Sequence, residues 1–208
     1  MNETLPPTED SQRETHVLDF VKESTSHFDS SHNYEHAWKV YQSALAIMES
    51  IDPAFDMDLL MYSALLHDVC DHKYPQSIKR EKLDEFIAKD LGLEKAADVN
   101  FIIDNVSFSK EDKARKGLAA AAEVPERLKL YLDAVRDADR LEAIGETGIA
   151  RCIAFSETIG RNIPEEVIEH CHEKLLRLYE ERFIVTDLGR KLAEPLHQVI
   201  VDYVAEHS

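Results

Sequence analysis

An all-α fold is predicted by three features of this 208-residue sequence. Glycine and proline are scarce, at 6 and 7 residues, stretches of β-branched residues are short, and apolar residues recur at three- and four-residue steps through most of the chain. With 44% hydrophobic residues the chain can build one sizeable core, and neither a repeat nor a linker interrupts it. One compact domain is expected over residues 13–206, behind a flexible polar tail over residues 1–12.

The elements follow in order. Val17, Leu18, Val21 and Phe28 mark a first helix. "SSHNYEHAWKVYQSALAIMES" makes a second, with Ser31 or Asn33 as N-cap and Ala37, Val40, Ala44, Ile47 and Met48 along one face. "IDPAFD" breaks the chain. The stretch from Met57 to about Val69 is apolar on most sides, which places it inside as the central helix. Further helices are expected at about 78–91, 94–106, 125–144, 147–159, 164–182 and 186–206, separated by "KYPQ", "LGLE", "SFSKEDKARKG", "GETG", "GRNIP" and "FIVTD". "SKEDKARKG" reads as a solvated loop, and the following "LAAAAEVPERL" as a poorly packed helix or part of a flap. Pro195 is expected to kink or restart the last helix.

Charge and cysteine content narrow the function. Twenty-four basic against 41 acidic side chains give a formal charge of -17, which repels nucleic-acid backbones and anionic membrane surfaces but leaves room for a small anionic substrate held through a metal. Cys70, Cys152 and Cys171 are an odd number at spacings that fit neither a zinc knuckle nor a disulfide framework, so a reducing, cytoplasmic location is expected. Cys70 reads as a small core residue. The N-terminus is polar, and no stretch approaches the roughly 20 apolar residues of a membrane span.

One feature of the central helix asks for chemistry. It ends in His67-Asp68, and a carboxylate at the end of the most apolar helix costs several kcal/mol unless a cation or hydrogen bonds compensate it. Adjacent helical residues point about 100° apart, so both can reach one ion only near the helix end, with ligands from other helices completing the shell. His32 and His36 lie four apart upstream; Asp137, Asp139 and Glu142 lie downstream in a helix whose other residues are largely apolar. Singly, these are a hydrogen-bonded core pair, an exposed polar turn and a solvated face of ion pairs. Together they make a metal site an equal reading.

The ordered set His36, then "LLHD" with His67-Asp68, then "DADRLEAIG" with Asp139, resembles the H…HD…D signature of the HD superfamily of metal-dependent phosphohydrolases. "HNYEHAWKV", "ALLHDVCDHKY", "IIDNVSFS", "DADRLEAIGETGIAR" and "HCHEKLLRLYE" resemble, in order, segments of its small stand-alone bacterial members of the YpgQ and YedJ type, over roughly residues 13–206. The resemblance implies a single helical bundle, the HD domain, in which His36, His67, Asp68 and Asp139 bind one divalent ion. Mn²⁺ or Mg²⁺ is implied, and Fe²⁺ also suits mixed imidazole and carboxylate ligands. Asp139 is preferred because its "ADRL" step is shared with guanosine-tetraphosphate hydrolases of the superfamily, whose ligand is that aspartate. Asp137, two residues earlier, points to nearly the opposite side of a helix and is placed behind the ligands.

The implied activity is hydrolysis of (deoxy)nucleoside triphosphates to monophosphate and pyrophosphate, or else nucleotidase or phosphodiesterase action on another small phosphate ester. The ion would acidify a water and neutralise phosphoryl charge. His67 and Asp68 belong to the catalytic centre with Asp71, one turn beyond His67, which would orient the water or act as general base. Lys73, Arg140 and Lys174 are the candidate phosphate contacts, with His32 and Arg151 behind them. A homodimer is compatible with the resemblance. Two readings of other classes compete. An HD-fold di-iron oxygenase needs two further histidines between the HD pair and the last aspartate, where only His72 occurs. A non-catalytic binding protein with a vestigial site would not need an intact ligand set. One departure stands out: Leu196 occupies a position where similar proteins tend to be basic.

Overall fold

The structure, a computed structural model, describes residues 9–29, 32–71, 74–158, 160 and 162–207. In chain order these form α1 (Glu9–Ser24), α2 (Tyr34–Ile51), α3 (Met57–Leu66), α4 (Arg80–Asn105), α5 (Phe108–Arg115), α6 (Glu126–Glu142), α7 (Gly145–Thr158), α8 (Glu165–His170), a π-helical turn (Cys171–Leu175), α9 (Leu176–Glu180) and α10 (Asp187–His207). No strand occurs among the described residues, so the fold is all-α as predicted. No helix among them is long and apolar enough to cross a membrane.

α3 is the centre of the bundle. Asp56 caps it by accepting from the Leu59 N–H at 3.1 Å, and Leu59 to Leu66 are all buried. It packs against α1, α2, α4 and α6, while α2 and α6 also lie on one another. Each fully buried leucine in such a helix contributes roughly 1.5–3 kcal/mol by leaving water. The helix stops at Leu66, and residues 67–70 continue as turns, three residues short of the expected end. Asn33 caps α2, its side chain accepting from the N–H groups of Glu35 (3.0 Å) and His36 (3.2 Å); the alternative cap, Ser31, lies outside the described residues. Phe28 falls beyond the end of α1 and stacks on Tyr74, with ring centroids 4.0 Å apart.

The break expected at "LGLE" is a one-residue kink. Gly92 adopts φ 78°, ψ 165° inside α4, a backbone state that side chains with a Cβ rarely take, so two helical segments join there without a loop. "SKEDKARKG" is a correction: residues 108–115 are helical. Ser107 caps them through the Lys110 N–H, and Glu111–Arg115 and Asp112–Lys116 pair at the i,i+4 spacing of a helix surface. Residues 120–125, expected as helix or flap, are non-helical and largely exposed. α10 runs unbroken past Pro195, which is exposed, so the carbonyl freed by its missing N–H can turn to water. Leu196 packs on the start of α7, where Gly145 (φ 73°) has room for no side chain: a Cβ would come within 2.9 Å of Leu196. Of the tail expected over residues 1–12, residues 9–12 open α1 and the rest lie outside the described residues. All three cysteines are free thiols, Cys70 half-buried like Cys152, and burial pushes Cys171 up to about 11.

Asp137 fastens the C-terminal helix. The side chain has no exposed surface; Oδ1 and Oδ2 accept from the Val185 N–H, both at 3.0 Å, and Oδ2 also accepts from the Thr186 N–H at 2.7 Å. Thr186 in turn caps α10 by accepting from the Gly189 N–H at 3.1 Å. Burial outweighs these hydrogen bonds and pushes the carboxyl up to about 6. Asp137 therefore ties α6 to the entry of α10 instead of backing a metal ligand. Asp137→Ala should leave the Val185 N–H and the buried Thr186 N–H without this acceptor and cost about 1–3 kcal/mol in urea denaturation, whereas Asp137→Asn, which keeps an acceptor oxygen, should cost less.

Candidate metal centre

Three helix ends and one turn meet at a single point. The Asn33 cap fixes the first turn of α2 and so places His36, its third residue, facing inward at 4% exposure. His67 is the C-cap residue of the buried α3, Asp68 is the first residue of the turn beyond it, and Asp139 lies in the last turn of α6. His36 Nε2 is 3.5 Å from Asp139 Oδ1 and 3.6 Å from Asp68 Oδ2; His67 Nε2 is 3.1 Å from Asp68 Oδ2 and 3.8 Å from Asp139 Oδ1. One ligand atom each of His36, His67 and Asp139 falls within 4.8 Å of the others, so these three residues can hold one ion, and Asp68 faces both imidazoles.

The donors themselves favour a cation. His67 Nδ1 donates to the Ala64 carbonyl at 2.8 Å, which leaves Nε2 as the lone-pair nitrogen in the neutral ring and aims it at the carboxylates. That buried Nε2 makes no hydrogen bond among the described residues, close as Asp68 is. A buried acceptor nitrogen facing two acceptor-only carboxylates is an arrangement that a cation satisfies. His36 is less fixed, since its Nδ1 has no hydrogen-bond partner among the described residues. Without a cation, protons fill the same role. Burial lowers the pKa of both imidazoles, but Asp68 and Asp139 outweigh it, raising His36 and taking His67 well above the ordinary imidazole value. Burial likewise raises the carboxyls, and the two histidines outweigh it, holding Asp68 and Asp139 well below the usual carboxylate range.

The residues expected around this centre fare differently. Asp71 sits in the same turn as Asp68, recessed at 9% side-chain exposure, with Oδ2 3.9 Å from His32 Nε2. Lys73 lies outside the described residues, as does His72. Arg140 is a correction. At 2% exposure, its guanidinium donates to the Phe183 carbonyl at 2.5 Å and to Glu111 at 2.6 Å, which commits it to the fold and leaves no face for a phosphate. Glu111 also takes Arg136 and Arg115; although burial raises its pKa, these charges hold it below the ordinary value. Lys174 stands over the Phe108 ring at 5.6 Å, in the same cluster. Arg151 donates to the last carbonyl of α6, that of Glu142, at 3.0 Å.

Sequence reasoning missed Asp29 and Tyr74, which hold His32, and Glu111, which holds Arg140. For Glu111 the signal was present in the i,i+4 charge spacing of "KEDKARK" after a capping serine. A cleft of about 680 Å³ lies between α5 and the π-turn–α9 segment, lined by Asp112, Arg115, Lys116, Glu173, Arg177 and Glu181. None of the metal-centre residues lines it, and Asp112 pairs across it with Arg177 and along its own wall with Lys116.

The sequence profile of the HD domain family matches residues 33–144, a span that runs from the α2 cap past the end of α6. The chain is 32% identical to the uncharacterized protein YpgQ of Bacillus subtilis (strain 168) over 183 residues, 85% of this chain and 83% of YpgQ. The crystal structure of Bacillus subtilis YpgQ in complex with ADP superposes with a TM-score of 0.70 at 28% identity, covering 93% of this chain and 94% of that one. A protein of Lactobacillus plantarum gives a TM-score of 0.74 at 26% identity, with 96% and 95% covered. A bundle that brings a histidine, a histidine-aspartate pair and a later aspartate together, under a profile match of more than half its length, makes this chain a member of the HD domain family.

Proposed function

We propose that the protein is a metal-dependent phosphohydrolase of nucleotides and that it cleaves (deoxy)nucleoside triphosphates to monophosphate and pyrophosphate. The observation that carries this reading is the convergence of His36, His67, Asp68 and Asp139 around an acceptor nitrogen that makes no hydrogen bond among the described residues. These four would hold one divalent ion; the imidazole and carboxylate set suits Mn²⁺ or Mg²⁺, and Fe²⁺ as well. That the related YpgQ has been solved with ADP supports an adenine nucleotide as the kind of ligand such a bundle accepts. When bound, the ion would supply Lewis-acid charge to the phosphoryl group and make water more acidic.

The chain's own residues do the rest. The water oxygen attacks the α-phosphorus, its proton passes to the Asp71 carboxylate, and the bond to the bridging oxygen breaks so that pyrophosphate leaves with the electron pair. That Asp71 is recessed in the turn that carries Asp68 supports this role. Lys73 and Lys174 are the proposed phosphate contacts, a role that Arg140 gives up to Glu111 and Phe183.

Three outcomes are expected. In a panel of nucleoside mono-, di- and triphosphates with Mn²⁺, Mg²⁺ or chelator, triphosphates should release pyrophosphate and chelator should abolish turnover; orthophosphate from monophosphates alone would exclude the triphosphate assignment. Asp68→Ala should lose more than ~100-fold in turnover together with bound metal, and activity retained at the wild-type level would overturn the metal assignment. Because the neighbouring carboxylates raise both histidines above the ordinary imidazole value, an ion must compete with protons for their nitrogens. Calorimetry in two buffers should show proton release, and Mn²⁺ affinity should rise from pH 6 to pH 8 by up to about tenfold per unit for each proton displaced.

A further inference from the structure

An ion pair flanks the metal centre without using up its own donors. Lys39 Nζ lies 3.7 Å from Glu142 Oε2, with side-chain exposures of 55% and 20%. Glu142 Oε2 is itself buried and accepts no hydrogen bond among the described residues. At this separation attraction between charges holds the ammonium in place, while its three N–H donors stay available to a ligand. Arg151 donates to the Glu142 carbonyl at 3.0 Å and so steadies the end of α6 that carries the carboxylate.

The two helices fix where this pair stands. His36 near the start of α2 meets Asp139 near the end of α6, while Asp56, past the end of α2, donates its N–H to Tyr131 Oη nearer the start of α6, so the helices run antiparallel. Lys39 follows His36 by three residues and Glu142 follows Asp139 by three, nearly one turn, which keeps each on the flank of a ligand. Because Cα–Cβ bonds tilt toward the N-terminus of their helix, both side chains lean back over the turn of that ligand and meet beside the centre. The centre opens on its carboxylate side: Asp68 and Asp139 are 27% and 29% exposed, against 4% and 2% for the imidazoles of His36 and His67. On α6, Arg136 and Arg140 are spent on Glu111 and on the carbonyls of Asn105 and Phe183. Lys39 keeps its donors.

We propose that Lys39 is the contact for the β- and γ-phosphates, the part of the triphosphate that leaves, and that Glu142 is the positioning residue that holds its ammonium at the rim of the centre. The assignment rests on the phosphohydrolase reading above. With the α-phosphate at the ion, the rest of the phosphate chain extends past the ligands to the rim. As the bond from the α-phosphorus to the bridging oxygen breaks, its electron pair goes to the pyrophosphate, and Lys39 meets that added charge through its N–H groups without giving up a proton. A monophosphate has no group in that place, so the contact favours triphosphates.

The test compares Lys39→Met, which removes the charge, with Lys39→Arg, which keeps it, in the Mn²⁺-loaded full chain. Lys39→Met should lower kcat/KM for a nucleoside triphosphate about tenfold or more, and Lys39→Arg should recover most of that loss. In calorimetry, Lys39→Met should weaken inorganic pyrophosphate about tenfold and leave adenosine monophosphate and Mn²⁺ affinities unchanged. Glu142→Gln should weaken pyrophosphate in the wild type and cost nothing further in a Lys39→Met background. Wild-type pyrophosphate affinity in Lys39→Met, an equal loss for the monophosphate, or a loss of Mn²⁺ binding would overturn the assignment. If no triphosphate is cleaved, the functional reading fails, and the pyrophosphate titration still decides the contact: a loss in Lys39→Met that Lys39→Arg restores supports it, and unchanged binding overturns it.

Discussion

The constraint on which the structure depends is the burial of opposite charge at the end of its most apolar helix. Each of two imidazoles lies within 4 Å of both of two carboxylates, beside eight consecutive core residues of α3. Charges in such a place are tolerated only when each has an opposite neighbour in reach, and here that neighbour is a proton or a cation. The bundle is arranged around the requirement. α3 must be central for His67 to be buried, α2 must begin where its third residue meets His67, and α6 must end where Asp139 closes the set. The His36 backbone is held by a cap and the His67 imidazole by a carbonyl hydrogen bond, both belonging to the helices themselves, so the positions of the two histidines are set by the fold.

α6 shows how one helix serves site and scaffold at once. Asp137 and Asp139 are two residues apart and so face different ways: one holds the backbone at the start of α10, the other faces His36 and His67. Arg140, next in line, secures α5 and the Phe183 carbonyl. Three neighbouring charged residues thus point to three different structural ends, and the only one left with exposed carboxylate surface is the one in the metal centre.

This division of labour marks what the sequence made legible. The central helix, the break at "LGLE" and the opposite facing of Asp137 and Asp139 follow from apolar runs, glycine and helical geometry, all of which act over a few residues, while the preference for Asp139 as ligand comes from the family resemblance of its "ADRL" step. α5 was misread because its residues are all polar and none is buried, so no apolar stripe announced it; only its charge spacing is helical. Arg140 was taken for a phosphate contact because its partners are remote, Glu111 by 29 residues and Phe183 by 43. Tyr74 and Asp29 are 45 residues apart, and nothing local to either one points to the other.

The Asn33 cap has a bearing on how such a chain can vary. Because the cap sets where α2 starts and His36 is its third residue, the four positions from 33 to 36 act as a ruler of fixed length. One residue added or lost between them would rotate the imidazole by about 100° and swing it out of the core, however well the rest of the helix packed. Length changes among related chains therefore have to collect elsewhere, and the exposed connection between α5 and α6 is where this architecture can absorb them without moving a single ligand.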